Sequence, residues 1–175
     1  MDNGAETLRR FMNGDQGAFR AILDAYRVSL IAFVNRYVNN MADAEDIAAD
    51  AFAELALHPN RYNGSVTLKT YLYMLAKSRA LNILRKRSLR LTLGWEEAEG
   101  TADAADTPED ALLRDERRRE VREALSRLKD DYRTALLLVY TEGLSYEEAG
   151  KVMKKSRKQV ENLVYRAKNA MKDQL

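Results

Sequence analysis

The chain has 175 residues, 46% hydrophobic and 32% charged, with a net charge of +2, which suits one soluble domain or two small ones. It has no cysteine, which excludes disulfides, thiolate metal sites and redox sensing by thiols of its own. No basic-then-apolar leader opens it and no apolar run approaches the ~20 residues of a membrane span, so a cytoplasmic protein without membrane insertion is expected.

Strand signals are almost absent, because proline is confined to Pro59 and Pro108 and no segment alternates apolar and polar residues over strand length. The expected fold is therefore all-α. A short helix carries Leu8, Phe11 and Met12. Asp15 then caps a longer one in which Phe19, Ile22, Leu23, Tyr26, Leu30, Phe33, Val34 and Tyr37 recur every three or four residues.

The next helix begins near Asp43 and stops before His58-Pro59, since the residue preceding a proline is pushed out of helical angles. Ile47, Ala48, Ala51, Phe52 and Leu55 make its buried stripe, with Asp43, Asp46, Asp50 and Glu54 aligned beside it. The helix macrodipole accounts for Asp43 and Asp46 but has faded at Asp50 and Glu54. Those two leave open either a solvated edge or a negative stripe for a basic partner. His58 reads as a helix C-terminal cap rather than a catalytic group.

A loop at Arg61-Tyr62-Asn63-Gly64-Ser65 precedes a helix from about Thr67 to Arg87, whose core side is Leu68, Leu72, Leu75, Ala76, Ala80 and Ile83. Its other side carries Tyr71, Ser78 and Asn82 among Arg79, Arg85 and Lys86. Such a face fits single-stranded nucleic acid, where rings stack on bases and cations follow phosphates, or a solvated helix with one packed tyrosine.

Charge is segregated. From Lys77 to Arg90 there are bases at 77, 79, 85, 86, 87 and 90 and no acid, whereas Glu96, Glu97, Glu99, Asp103, Asp106, Glu109 and Asp110 follow with no base between Gly94 and Leu113. That acidic stretch is too polar to bury a core and reads as a flexible linker. The expected organisation is two small helical domains, 1–91 and 111–175, joined by residues 92–110.

Helix resumes through Leu112, Leu113, Val121, Ala124, Leu125 and Leu128, breaks at Lys129-Asp130-Asp131, and continues as an apolar helix from Ala135 to Tyr140 that ends at Gly143. Ser145 stands three residues before Glu148, and Ser156 three before Gln159. Two capping boxes one short helix apart outline a helix-turn-helix. In the second helix Val160, Leu163, Val164, Ala167 and Met171 form one stripe. Lys158, Asn162, Tyr165, Arg166 and Asn169 oppose it, with Arg157, Gln159 and Lys168 near the edges. A basic face carrying groups that can read base edges fits a recognition helix in a major groove better than a merely solvated one.

Taken together, three motifs in this order around an acidic linker resemble the extracytoplasmic-function sigma factors of the bacterial sigma-70 family, across nearly the whole chain. They are Asp43-Ala44-Glu45-Asp46-Ile47 through Phe52, Leu68-Lys69-Thr70-Tyr71-Leu72-Tyr73 through Arg87, and Leu144-Ser145-Tyr146-Glu147-Glu148-Ala149 through Lys168. The resemblance implies a non-enzymatic initiation factor that needs no cofactor. Its implied partners are the β′ and β subunits of core RNA polymerase, promoter DNA and an anti-sigma factor.

The resemblance implies that Asp43, Asp46, Asp50 and Glu54 dock on a coiled coil of β′. Asn63, Gly64 and Ser65 in the loop, with Tyr71, Lys77, Arg79, Asn82, Arg85 and Lys86, would recognise and open the −10 element. Ser156, Arg157, Lys158, Gln159, Asn162, Tyr165, Arg166 and Lys168 would read the −35 duplex. It also implies that the linker threads the polymerase channel ahead of RNA.

The chain departs from the family at Tyr71, where Trp is common, at Ser78 and Asn82, and at Lys154-Lys155 in the turn, where Gly and an apolar residue are usual. The alternative is a stand-alone helix-turn-helix regulator whose N-terminal helices dimerise or sense a ligand.

Overall fold

A computed structural model describes residues 4–92, 120–121, 123–125 and 127–173, and every described regular element is helical. The acidic stretch expected as a linker lies outside the described residues. The chain divides into two compact units, Met1–Ala102 and Asp103–Leu175.

In the first unit α1 (Ala5–Met12), α2 (Gln16–Val38), α3 (Met41–Leu57) and α4 (Leu68–Thr92) surround one core. Asp15 caps α2 as expected, its Oδ1 accepting from the Ala18 N–H at 3.2 Å. The α3 start lies two residues earlier than expected, because the side chain of Asn40 accepts from the Asp43 N–H at 3.0 Å and supplies the cap. At its other end His58 occupies the cap position, and Pro59–Arg61 forms one 3₁₀ turn before the loop. The next helix, α4, runs to Thr92, five residues past the expected end.

The periodic residues bury as their spacing requires. Ile22, Leu30, Phe33 and Val34 of α2, all five stripe residues of α3, and Leu68, Leu72, Ala76 and Ala80 of α4 are inside. Tyr73 was not on the expected stripe, yet it is fully buried, with its ring 4.7 Å from that of Phe33. Because α4 packs against both α2 and α3, its buried face is wider than a single stripe.

Turn chemistry closes α1 onto α2. The guanidinium of Arg10 donates to Asp15 Oδ2 from Nε at 3.1 Å and from NH2 at 2.6 Å, and the Phe11 and Phe19 rings meet at 4.8 Å. The hydrogen bond from Arg10, helped by the cap, holds the Asp15 carboxyl below its usual range. A carboxyl depressed in the folded state adds stability above its unfolded value and loses it as pH falls through the folded value. Asp15→Asn should therefore flatten the acid limb of a melting-temperature profile recorded against pH, leaving the neutral limb lower but parallel.

In the second unit α5 (Asp130–Leu136) continues without a break into a π-type winding at Leu137–Thr141, followed by α6 (Tyr146–Met153) and α7 (Arg157–Lys172). Lys129-Asp130-Asp131 was expected to be a break. The break falls at Leu128 and Lys129, and Asp130 and Asp131 form the first turn of α5, where negative charge meets the positive end of the helix. The winding shows in the Glu142 N–H bond to the Leu137 carbonyl at 3.0 Å, and Gly143 follows at φ 69°. Ala124, Leu128, Ala135, Leu138, Leu144, Val152, Val160, Val164 and Ala167 form the core. Val121, expected inside, is exposed.

Candidate nucleic-acid interface

Both capping boxes are closed. Ser145 Oγ accepts from the Glu148 N–H at 3.2 Å while Glu148 Oε2 accepts from the Ser145 N–H at 3.0 Å. Ser156 Oγ and Gln159 Oε1 do the same at the start of α7, at 3.2 and 2.8 Å. Ser156 and the Gln159 oxygen are thereby committed to fixing the helix start, which leaves the Gln159 NH₂ to donate outward.

Between the boxes Lys154 sits at φ 55°, ψ 45°, so the turn does demand the left-handed region that glycine adopts at least cost. Lys154→Gly should stabilise the protein by about 1 kcal/mol, since a side chain in that region costs roughly 1–2 kcal/mol and glycine gives some back in unfolded-state entropy. Chemical denaturation would read the gain as a higher midpoint at unchanged slope. The Lys155 ammonium reaches back to Asp131 Oδ2 at 3.1 Å, tying the turn to α5.

Val160, Val164 and Ala167 are buried, and Lys158, Asn162, Tyr165 and Arg166 are exposed on the opposite face of α7, while Arg157, also exposed, lies on the side of the buried stripe and lines a cleft with Leu144, Ser145 and Tyr146. Lys155, Gln159, Asn162, Leu163 and Arg166 line a shallow cleft. Two predicted contacts have company inside the unit. The Lys158 ammonium is 3.2 Å from Glu161. Lys168 Nζ lies 4.6 Å from the centre of the Tyr140 ring, and its hydrogen bond to Tyr140 raises its affinity for the proton. Lys168 is therefore drawn towards the π-type winding that follows α5 and away from the centre of the face.

A second basic face lies on the first unit. Ser78, Asn82, Arg85 and Lys86 are exposed along α4, while Lys77, Arg79 and Tyr71 are half-buried. Tyr71 faces the loop, its ring 5.4 Å from that of Tyr62, and the Tyr62 hydroxyl donates to the Val66 carbonyl at 2.7 Å. Burial, and then the Glu54 carboxylate, push the Tyr71 phenol up, while Arg61 and Arg79 pull it down. In the loop Asn63 Oδ1 accepts from the Ser65 N–H at 3.0 Å, with Gly64 at φ 76° between them.

The expected acidic stripe divides. Its ends are held inside the unit: Asp43 pairs with Arg87, and Glu54 with Arg61 and with Arg79, the latter at 3.5 Å. Asp46 and Asp50 are exposed. Sequence spacing could find the stripe but not these partners, which come from α4 and the 3₁₀ turn. Arg61 was not among the expected site residues. Its signal was its place as the first residue of the expected Arg61-Tyr62-Asn63-Gly64-Ser65 loop.

Helical units, one ending in a closed helix-turn-helix and the other carrying an aromatic and basic face, define a DNA-binding protein. The family pattern for sigma-70 region 2 matches residues 22–90, and that for sigma-70 region 4 matches residues 118–171. The chain is similar to the RNA polymerase sigma-H factor of Pseudomonas aeruginosa, at 30% identity over 95% of this chain and 90% of that one. It is also similar to the extracytoplasmic-function sigma factor SigW of Bacillus subtilis, at 29% over 96% and 94%. In fold it is similar to the sigma factor RpoE of Bartonella quintana, solved in complex with the anti-sigma factor NepR, with a TM-score of 0.73 at 22% identity, covering 89% of this chain and 94% of that one. The chain belongs to the extracytoplasmic-function group of the sigma-70 family and is an RNA polymerase sigma factor.

Proposed function

We propose that this sigma factor brings core polymerase to promoters by a two-point grip, with α4 and its preceding loop opening the −10 element and α7 reading the −35 duplex. The observation that carries the proposal is the exposed face of α7, where Lys158, Asn162, Tyr165 and Arg166 point away from the core of a helix-turn-helix locked by two capping boxes. A rigid helix start and side chains able to pair with base edges are what groove reading requires.

Opening is a different task. Extruding a base costs a few kcal/mol, which stacking on an aromatic ring and contacts to phosphate offset. Tyr71, Lys77, Arg79, Asn82, Arg85 and Lys86, with Asn63, Gly64 and Ser65, are the groups assigned to it. Docking on the β′ subunit falls to Asp46 and Asp50, whose carboxylates are exposed, with β as a second contact. An anti-sigma factor, of the kind the Bartonella protein binds, holds the chain inactive. The organisation remains 1–91, 92–110 and 111–175, the chain works in the cytoplasm, and it catalyses no bond formation of its own. Among the described residues no helix is long and apolar enough to cross a membrane.

The deciding experiment is transcription by purified core polymerase with this protein on genomic DNA, with mapped 5′ ends. Initiation at a shared −35/−10 sequence is expected. Core enzyme that gains no specific starts, while the protein alone binds duplex DNA tightly, would instead make it a stand-alone regulator. At a mapped promoter Arg166→Ala should weaken duplex binding about 5- to 30-fold, as loss of one charged contact worth about 1–2 kcal/mol implies, and should lower the salt slope by about one if its partner is phosphate. Filter binding across a salt series would read both.

A further inference from the structure

We infer that Glu54 is a positioning residue for strand contact: its carboxylate gathers Arg61 and Arg79 beside the Tyr62–Tyr71 ring pair, and Arg61 belongs among the groups that hold the opened strand. This deepens the opening reading above and rests on it.

The cluster joins three segments that are distant along the chain. Glu54 comes from the last turn of α3, Arg61 from the 3₁₀ turn and Arg79 from the middle of α4. One carboxylate oxygen meets Arg61 NH1 and the other lies 3.5 Å from Arg79 NH2. Exposure grades outward across the group, with the Glu54 side chain 21% exposed, Arg79 29% and Arg61 62%. An inner pair is thus set against the unit, and an outer guanidinium stands in solvent at the mouth of the Asn63-Gly64-Ser65 loop.

A salt bridge made only for stability needs one cation, and an exposed one contributes little. Here two guanidinium groups share one carboxylate, so the cluster keeps an excess positive charge, and all three groups act electrostatically on Tyr71, whose ring pairs with Tyr62. A guanidinium has five N–H groups, and a carboxylate engages only some of them. The remainder form a planar fork suited to a phosphate oxygen. The ring pair beside it offers a surface on which an unpaired base stacks.

Glu54 orders both arginines before any strand arrives, so that their freedom is not lost at the moment of opening. The same carboxylate is thereby withdrawn from the polymerase-facing stripe. Its charge also opposes that of DNA, so the ordering and the repulsion make contrary predictions when the charge is removed.

The test uses holoenzyme reconstituted from core polymerase and the full chain, on a promoter mapped by the transcription experiment above. Permanganate reactivity of melted thymines follows opening, and gel shift follows the closed complex. Glu54→Gln should slow opening about fivefold while core affinity and closed-complex affinity stay within about twofold, and Glu54→Gln with Arg79→Gln should be no slower than Arg79→Gln alone, because coupled residues do not add. Opening at the wild-type rate or faster, loss of core affinity, or multiplying defects in the double variant would each overturn the inference. Should Glu54→Gln fail to fold, the outer Arg61→Gln carries the test: slowed opening supports the inference, and wild-type opening overturns it. A wild-type holoenzyme that opens no mapped promoter refutes the sigma mechanism itself, which separates that failure from this one.

Discussion

Gly150→Ala is expected to unfold the second unit's turn rather than to tune it. Gly150 is buried in α6, and a Cβ built there would stand 2.6 Å from the backbone carbonyl oxygen of Lys155. The same residues are already joined, since the Lys155 N–H donates to the Gly150 carbonyl at 2.9 Å. A methyl group therefore meets main chain on a segment fixed at both ends, by that bond and by the Ser156 cap, and neither can swing aside as a side-chain tip would. Overpacking of this kind costs about 1–3 kcal/mol, and the upper end applies because the obstacle is backbone. For a unit of this size ~3 kcal/mol lowers the melting temperature on the order of 15 °C.

Gly143→Ala is the contrast. Gly143 has φ 69° but nothing within 4 Å of its would-be Cβ, so only the conformational cost of about 1–2 kcal/mol applies. Calorimetry on the two variants should rank them in that order. If Gly150→Ala melts no lower than Gly143→Ala, the turn yields more easily than its bonds imply. Below its melting temperature Gly150→Ala should still bind −35 duplex poorly, because displacing Lys155 moves the start of α7.

Where interactions are local the sequence was readable. Each capping box spans four residues and both closed as written; the Asp15 cap and the stripes of α2, α3 and α7 follow from local sequence alone. Asn40 was readable in principle, standing three residues before Asp43, but the apolar stripe that follows drew the helix start inward. Tyr73 was not readable. Periodicity assigns a face, whereas its burial depends on α4 having neighbours on two sides.

The acidic stripe shows the same limit in a functional setting. The spacing of Asp43, Asp46, Asp50 and Glu54 predicts one surface, but Arg87 lies 44 residues from Asp43, and only the packing of α4 on α3 reveals that the ends of the stripe are spent internally. Lys168 repeats the lesson on α7, where Tyr140 competes for it. In both cases spacing gives the face a residue lies on and not the partner that packing brings to it.

Tyr71→Ala should cost the protein its opening step and little else. Its ring is half-buried against Tyr62, and under the proposed grip it exchanges that neighbour for an extruded base. Stacking of one base on a ring is worth about 1–3 kcal/mol, so opening should fall about 5- to 150-fold while core binding persists. Tyr71→Phe keeps the ring and removes the phenol, and it should open at close to the wild-type rate.

The phenol supplies an independent check on the geometry. Burial and Glu54 push it above the ordinary value of 10.0, so the ultraviolet titration difference between wild type and Tyr71→Phe should fall above that pH. Glu54→Gln should bring it partway down, leaving the larger effect of burial. Opening equally impaired by Phe and by Ala would assign the work to the hydroxyl. Opening unaffected by either would return Tyr71 to the packing between α4 and the loop.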